Sequence, residues 1–229
     1  MVSWLGLWIA IRARGLRMRR VVNAAFWNGI AEKYAKQPVG NPDAFEAKIA
    51  ITKSRMKPTD VVLDIGCGTG SLALRLAGSA AHVHGLDLSS EMIRIANGKA
   101  QAQKVDNVTF HAAPFDDTFH AFEAENLDGI CAYSLLHLVD DRSAALEQIF
   151  RLLKPGGFFI SSTVCLGESW VPYGPLIWAM RLVGKAPMVK IFEKRTLVDE
   201  IRQSGFVDIS QPDVGAKREI AFIVAKKPH

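Results

Sequence analysis

The stretch VVLDIGCGTGSLALRLAG, Val61 to Gly78, decides the fold. Its opening apolar run is short and bounded by polar residues, which reads as a buried strand. Three glycines, Gly66, Gly68 and Gly70, then alternate with small residues before SLALRLAGSA takes up helical spacing. Strand, glycine turn and helix make the first crossover of a parallel sheet, and open α/β sheets bind ligands at the carboxyl ends of such strands. Glycine there permits positive φ and lets backbone approach a ligand that any Cβ would exclude. One G-x-G turn says little alone, because it also serves purely structural ends. Two further features narrow the ligand. Ser71 stands where a dinucleotide fingerprint wants its last glycine. Asp87 ends the next strand, where a carboxylate can accept both hydroxyls of a ribose. Together they suggest a nucleoside held without a pyrophosphate.

Outward from this stretch the chain alternates helical and strand patterns. AFWNGIAEKYAKQ and DAFEAKIAITKSRM read as helices, the second introduced by Asn41-Pro42-Asp43. HVHGLDL is the second strand, and Ser89 caps the helix SEMIRIANGKAQAQ. NVTFHAA and LDGICAYSLL are the third and fourth strands. RSAALEQIFRLL is a helix stopped by Lys154-Pro155-Gly156-Gly157, after which GFFISSTV is the fifth strand. This rhythm predicts an α/β fold, a doubly wound, mainly parallel sheet with helices on both faces. The tail departs from it: after the helix TLVDEIRQSGF, the segments VDISQPD and REIAFIVAKK predict an antiparallel hairpin at the sheet end. Residues 23–229 are expected to form one domain, with lid helices over 24–57 and an insert over 165–195, behind an extension at 1–22.

Composition bounds the rest. The 229 residues are 49% hydrophobic and 22% charged with net charge +5, ordinary for a globular protein. Arg12, Arg14, Arg17, Arg19 and Arg20 sit together with no acid before Glu32, so the excess charge is local. With no RNA-binding signature, aromatic–basic interleaving or internal repeat, a nucleic-acid partner is not indicated. Cys67, Cys131 and Cys165 lie in apolar or glycine-rich runs, which predicts buried thiols and a reducing, cytoplasmic setting. The first twenty residues, MVSWLGLWIAIRARGLRMRR, are apolar and then basic. The apolar part is about half of the ~20 residues needed to span a bilayer, and a secretory signal carries its charges first. Two readings stand: a peripheral contact with the inner membrane surface, Trp4, Leu5, Trp8 and Ile9 dipping into lipid, or a dispensable extension with Met18 as an alternative start.

VLDIGCGTG, GLDLSSEMI, NVTFHAAPFDD, DGICAYSLLHLVDD and RLLKPGGFFISS, in this order, make the chain resemble the class I S-adenosylmethionine-dependent methyltransferases, from about Phe26 to Lys226. The nearest branch contains the ubiquinone and menaquinone C-methyltransferases and many small-molecule and lipid methyltransferases. The resemblance implies a Rossmann-like sheet of seven strands with helical lid elements, S-adenosyl-L-methionine as cofactor and S-adenosyl-L-homocysteine as product. It places Asp64, Gly66, Cys67, Gly68 and Gly70 around the methionine part and ribose. Asp87 would take the ribose hydroxyls, and Leu88 and Met92 would border the adenine. Family members often carry Gly-Asp-Ala after the third strand; Ala113-Pro114-Phe115 stands there instead, so Asp116 or the Phe115 ring is expected on the adenine side. Tyr133, at the end of the fourth strand, would face the sulfonium.

A sulfonium methyl is intrinsically electrophilic and leaves a neutral thioether behind, so the enzyme's main task is to hold three atoms in line. A general base is needed only where the acceptor must lose a proton early. His137, just past the fourth strand, is the candidate base; packing under the loop is the alternative. His82, His84, His111 and His120 show no metal-ligand spacing, so no metal is expected. The acceptor pocket is expected to draw on Trp27, Tyr34 and His137, and on Trp170, Tyr173 and Trp178 of the insert. The insert's aromatic density also suits ordinary packing or, flanked by Lys185, Lys190, Lys194 and Arg195, a lipid-facing cap on an anionic bilayer. The leading expectation is transfer of a methyl group to a small apolar or amphipathic acceptor. A membrane-lipid or quinone methyltransferase at the bilayer surface, and a non-catalytic S-adenosylmethionine-binding regulator, are the alternatives. A dinucleotide-dependent oxidoreductase is disfavoured by the glycine spacing.

Overall fold

The computed structural model describes residues 24–116, 118–182 and 186–229; the expected extension at 1–22 lies outside the described residues. A helix over 24–36 (α1) and α2 (Pro42–Lys53) precede the first strand, β1 (Val61–Ile65). There follow α3 (Ser71–Leu76), β2 (His82–Asp87), α4 (Ser90–Gln103), β3 (Val108–Ala112), β4 (Leu127–Tyr133), α5 (Arg142–Leu152) and β5 (Leu153–Val164). The chain then runs through α6 (Tyr173–Leu182), α7 (Lys194–Gln203), β6 (Val207–Ser210) and β7 (Ile220–Lys226).

The helix starts are chemically explicit. Asn41 caps α2 by accepting the Ala44 N–H at 3.1 Å, with Pro42 as the first helical residue. Ser89 caps α4 through the Met92 N–H at 3.1 Å, and Asp141 caps α5 through the Ala144 N–H at 3.0 Å.

The seven strands form one sheet in the order β3-β2-β1-β4-β5-β7-β6. Strands β1 to β5 pair in parallel, and β7 runs antiparallel to both β5 and β6. The predicted doubly wound sheet and C-terminal antiparallel pair are therefore present. The fifth strand starts earlier than its residues suggest. Leu153 already pairs with Leu127, the register shifts before Gly129, and Gly156 turns through φ +79°, so the Lys-Pro-Gly-Gly run bends within the strand.

Side chains of β1 alternate between two cores, as the pleat requires. Leu63 and Ile65 face one layer with Ile130, Phe159, Leu146 and Ile149 of α5, and Leu197 and Ile201 of α7. Val62 faces the other with Val83, Ile160, Ile49 of α2, and Leu72 and Leu76 of α3. Burial of a residue of this size contributes about 1.5–3 kcal/mol.

Strand order reverses between β1 and β4, and the crevice outside their carboxyl ends is where such a sheet accepts a ligand. The glycine turn opens into it. Gly66 and Cys67 N–H groups both donate to the Leu86 carbonyl, at 2.7 and 3.0 Å, tying the turn to β2. Gly70 ends the turn at φ +76°, and a Cβ there would lie 2.7 Å from the Phe110 ring and 3.0 Å from the Ala96 methyl. Gly70→Ala is accordingly expected to destabilise the fold by about 2–4 kcal/mol, combining a left-handed backbone with overpacking. Urea unfolding checks this; an unchanged midpoint rejects the packing account.

Candidate functional site

The end of β2 organises the site. One Asp87 carboxylate oxygen accepts the Gly68 N–H at 2.9 Å and the other accepts the Ser89 N–H at 2.8 Å. Each oxygen has two lone pairs, so each retains one for another donor. Gly68 itself sits at φ +52°, and a Cβ there would meet only the Tyr34 ring, at 3.6 Å. A bare backbone bend and a half-satisfied carboxylate thus share one wall of a cavity of about 1650 Å³.

Near that wall lies Asp64, on β1, 1% exposed. Its Oδ2 is buried without a hydrogen-bond partner among the described residues. Burial, and then the neighbouring Asp87 charge, push its pKa up to about 8, against a backbone hydrogen bond from Ala73. Asp87 is raised too, first by burial, while its bonds from Ser89 and Gly68 oppose the shift. Two carboxyls in low dielectric suit a ligand that brings positive charge.

The structure gathers most of the residues singled out from the sequence. Gly66, Gly68, Asp87, Leu88, Met92, Phe115, Asp116, Tyr133 and His137 line the cavity, with Trp27 and Tyr34 of α1. Those two rings meet edge to face at 6.3 Å. Helix α1 is held down by Asn28, whose Oδ1 accepts from the Ser89 hydroxyl at 2.6 Å and the Glu91 N–H at 3.3 Å. Asp64, Cys67 and Gly70 are not in the lining, and all three are buried. Asp116 is engaged locally, its Oδ1 accepting the N–H and hydroxyl of Thr118 at 2.8 and 2.6 Å. Phe115 packs toward Phe119, ring centroids 5.9 Å apart.

Tyr133 lines the cavity, while its ring packs edge to face against Phe222 at 6.1 Å and its hydroxyl meets Thr52 of α2 at 2.8 Å. Burial holds that phenol proton far above its ordinary range, so the hydroxyl is no acid or base at neutral pH. His137 also lines the cavity, with Nδ1 buried and without a hydrogen-bond partner among the described residues. Burial pushes its pKa down to about 4, so the imidazole is neutral at physiological pH.

The insert departs from expectation. Trp170, Tyr173 and Trp178 do not line the cavity; Trp170 is 93% exposed and Trp178 is 63% exposed. Helix α6 leaves them outside, and the chain returns only at Pro187–Lys190, which do line it. There the Lys190 N–H donates to the His137 carbonyl at 2.7 Å.

Other lining residues gave no signal in the sequence. Ser134 holds φ +55° just after β4, a conformation costly for a residue with a Cβ and common at functional sites. Arg142, on α5, grips Glu200 of α7 with both guanidinium ends, one at 2.6 Å, and lies 3.7 Å over the Phe192 ring. The chain separation hides that pair from any local pattern. Among the described residues, no group of three or more His, Cys, Asp or Glu is arranged to hold a metal ion.

A profile describing a methyltransferase domain matches residues 56–197, most of the chain. The chain belongs to the methyltransferase-domain family. This methyltransferase domain is 32% identical over 114 residues to the ubiquinone/menaquinone biosynthesis C-methyltransferase of Geotalea daltonii, covering 48% of each chain. It is 26% identical over 196 residues to the O-methyltransferase cnsE of Penicillium expansum, covering 84% of this chain and 67% of that one. The chain spans about half the length of several curated relatives that it matches. Among solved structures, Haemonchus contortus phosphoethanolamine N-methyltransferase 2, in complex with phosphomonomethylethanolamine and S-adenosylhomocysteine, superposes with a TM-score of 0.67. That match is 19% identical and covers 81% of this chain and 53% of the other, so the shared feature is the fold.

S-adenosylmethionine fits the residues present. Asp87 keeps a lone pair on each oxygen for a ribose diol, Gly68 leaves the wall open, Leu88 and Met92 offer apolar surface, and the paired carboxyls favour a cation.

The buried carboxyl has a measurable consequence. In the folded, ligand-free protein Asp64 keeps its proton up to about pH 8, whereas unfolded chain loses it near pH 4. Between these values the folded state binds more protons, so Asp64 makes stability fall as pH rises. Asp64→Asn removes this dependence. Its stability relative to wild type is expected to climb from pH 4 to pH 8, by up to ~1.4 kcal/mol per unit. Parallel denaturation curves across that range overturn the assignment.

Proposed function

We propose that the protein transfers the methyl group of S-adenosylmethionine to a small apolar or amphipathic acceptor held in the same cavity. The observation that carries this reading is the Asp87 carboxylate bound to the Gly68 N–H on the wall of that cavity. When bound, the cofactor supplies a methyl group on a sulfonium, already electrophilic and leaving a neutral thioether. The chain's contribution is then positional, and well-oriented reactants gain about 7–11 kcal/mol over free encounter.

Asp87 orients the nucleoside through its remaining lone pairs. Tyr133, its hydroxyl fixed by Thr52, lines the cavity at the end of β4. His137 acts as a neutral hydrogen-bond acceptor that orients the methyl acceptor. With a pKa near 4 it is a weak sink for a proton, far from the matched value an efficient general base needs. This favours acceptors that reach the cavity already nucleophilic, or that shed their proton after transfer.

Leu135, Leu138, Val139, Met188 and Val189 supply apolar surface to the cavity, beside the charged Asp140, Arg142, Glu147, Arg151 and Lys190. That surface, with the relative named for ubiquinone and menaquinone biosynthesis, supports a lipid-like or quinone-type acceptor as the narrower reading.

Radiolabelled S-adenosylmethionine, offered with a panel of metabolites, phenols, quinols and lipids, tests the proposal. Label is expected to appear in at least one apolar acceptor. Cofactor binding with no transfer to any of them favours a regulatory binder instead. Asp87→Ala is expected to weaken S-adenosylmethionine by about 1.5–3 kcal/mol for each charge-assisted hydrogen bond lost, tenfold or more in affinity. Unchanged calorimetric affinity rejects the ribose assignment. The turnover profile between pH 5.5 and 8 is expected to show no limb at the ordinary histidine value of about 6.5. A limb there that disappears in His137→Gln establishes a general base and sinks the neutral-acceptor role.

A further inference from the structure

Helix α6 reads YGPLIWAMRL, with one charged residue in ten. A helix apolar on every side is ordinarily buried, either in a core or in a membrane. Here Leu176 is 50% exposed, Trp178 63% and Met180 37%, and Trp170 just before the helix stands almost wholly in solvent. Only Tyr173 and Ile177, one turn apart, are drawn inward among the described side chains that carry bulk. Ten helical residues span about 15 Å, half the thickness of a bilayer core, so this helix cannot cross one. Among the described residues no other helix is long and apolar enough to cross a membrane either.

Two observations say what covers this face. The first is charge. Between 165 and 195 the chain carries Arg181, Lys185, Lys190, Lys194 and Arg195 against only Glu168 and Glu193. Apolar and aromatic side chains followed by basic residues match an anionic lipid surface, with tryptophan at the headgroup boundary and cations toward the phosphates. The second is continuity. The segment leaving α6 becomes the cavity wall at Pro187–Lys190 and hydrogen-bonds the His137 carbonyl. The exposed helix and this part of the cavity wall therefore belong to one run of chain.

We propose that Trp170 and α6 form a docking surface for an anionic lipid bilayer, set beside the cavity so that an acceptor dissolved in the bilayer reaches His137 along Pro187–Lys190. The docking surface stands independently. The delivery step rests on the methyltransferase reading above.

The full-length protein is mixed with vesicles of phosphatidylcholine plus phosphatidylglycerol, or of phosphatidylcholine alone, and pelleted. Binding is expected to the mixed vesicles, weaker to neutral ones, and reduced by added salt. The double variant Trp170→Ser, Trp178→Ser is expected to lose about tenfold or more in partitioning. Both side chains are exposed, so its melting temperature and S-adenosylhomocysteine affinity should match wild type. Equal partitioning of variant and wild type assigns any lipid binding to another part of the chain and overturns the proposal. So does a wild-type dimer in sedimentation that becomes monomeric in the double variant, which makes the patch a contact between copies. Vesicle binding that follows the tryptophans, in a protein giving no heat with S-adenosylhomocysteine, leaves the docking surface intact and removes the methyltransferase reading.

Discussion

One carboxylate joins three parts of the chain. Asp87 accepts N–H groups from the turn after β1 and from the entry to α4 while it terminates β2. Charge-assisted hydrogen bonds of this kind are among the stronger ones available to a protein. They fix the turn with its backbone facing the cavity, and Ser89, placed by the same carboxylate, caps α4 and holds Asn28 of α1. The cavity wall, an outer helix and a lid helix thus share one anchor.

That anchor carries a cost. Asp64 and Asp87 lie close together in a region of low dielectric, and both are held above the ordinary carboxyl range. A buried charge is costly unless something compensates it. A ligand carrying a sulfonium and an ammonium is such a compensation, because it favours the charged form of both carboxyls. At neutral pH a bound cation therefore favours release of the Asp64 proton, which couples ligand binding to deprotonation.

Much of this was legible in the residues because the informative signals are local. The strand–glycine–helix order, the caps at Asn41 and Ser89, and the acid ending β2 lie within a few residues of what they control. The site features that escaped are of another kind. Arg142 and Glu200 meet across 58 positions, and no feature of serine as a residue type marks the left-handed Ser134. The insert stayed open in the sequence because aromatic density serves a core, a pocket and a surface equally well. Only the exposure of Trp170 and Trp178 separates those uses. The early start of β5 was hidden by a Lys-Pro-Gly-Gly run that reads as a stop, although the ladder resumes across a bulge.

Strand β7, last in chain order, lies inside the sheet between β5 and β6. Until the ribosome has released it, the long flank of β5 remains an open template for pairing with other chains. Loss of this segment does not fray a border. It removes an interior plank, detaches β6, and uncovers Ile160 and Phe159 on opposite faces. A growing chain of this architecture therefore keeps an unpaired flank on β5 until β7 has followed it.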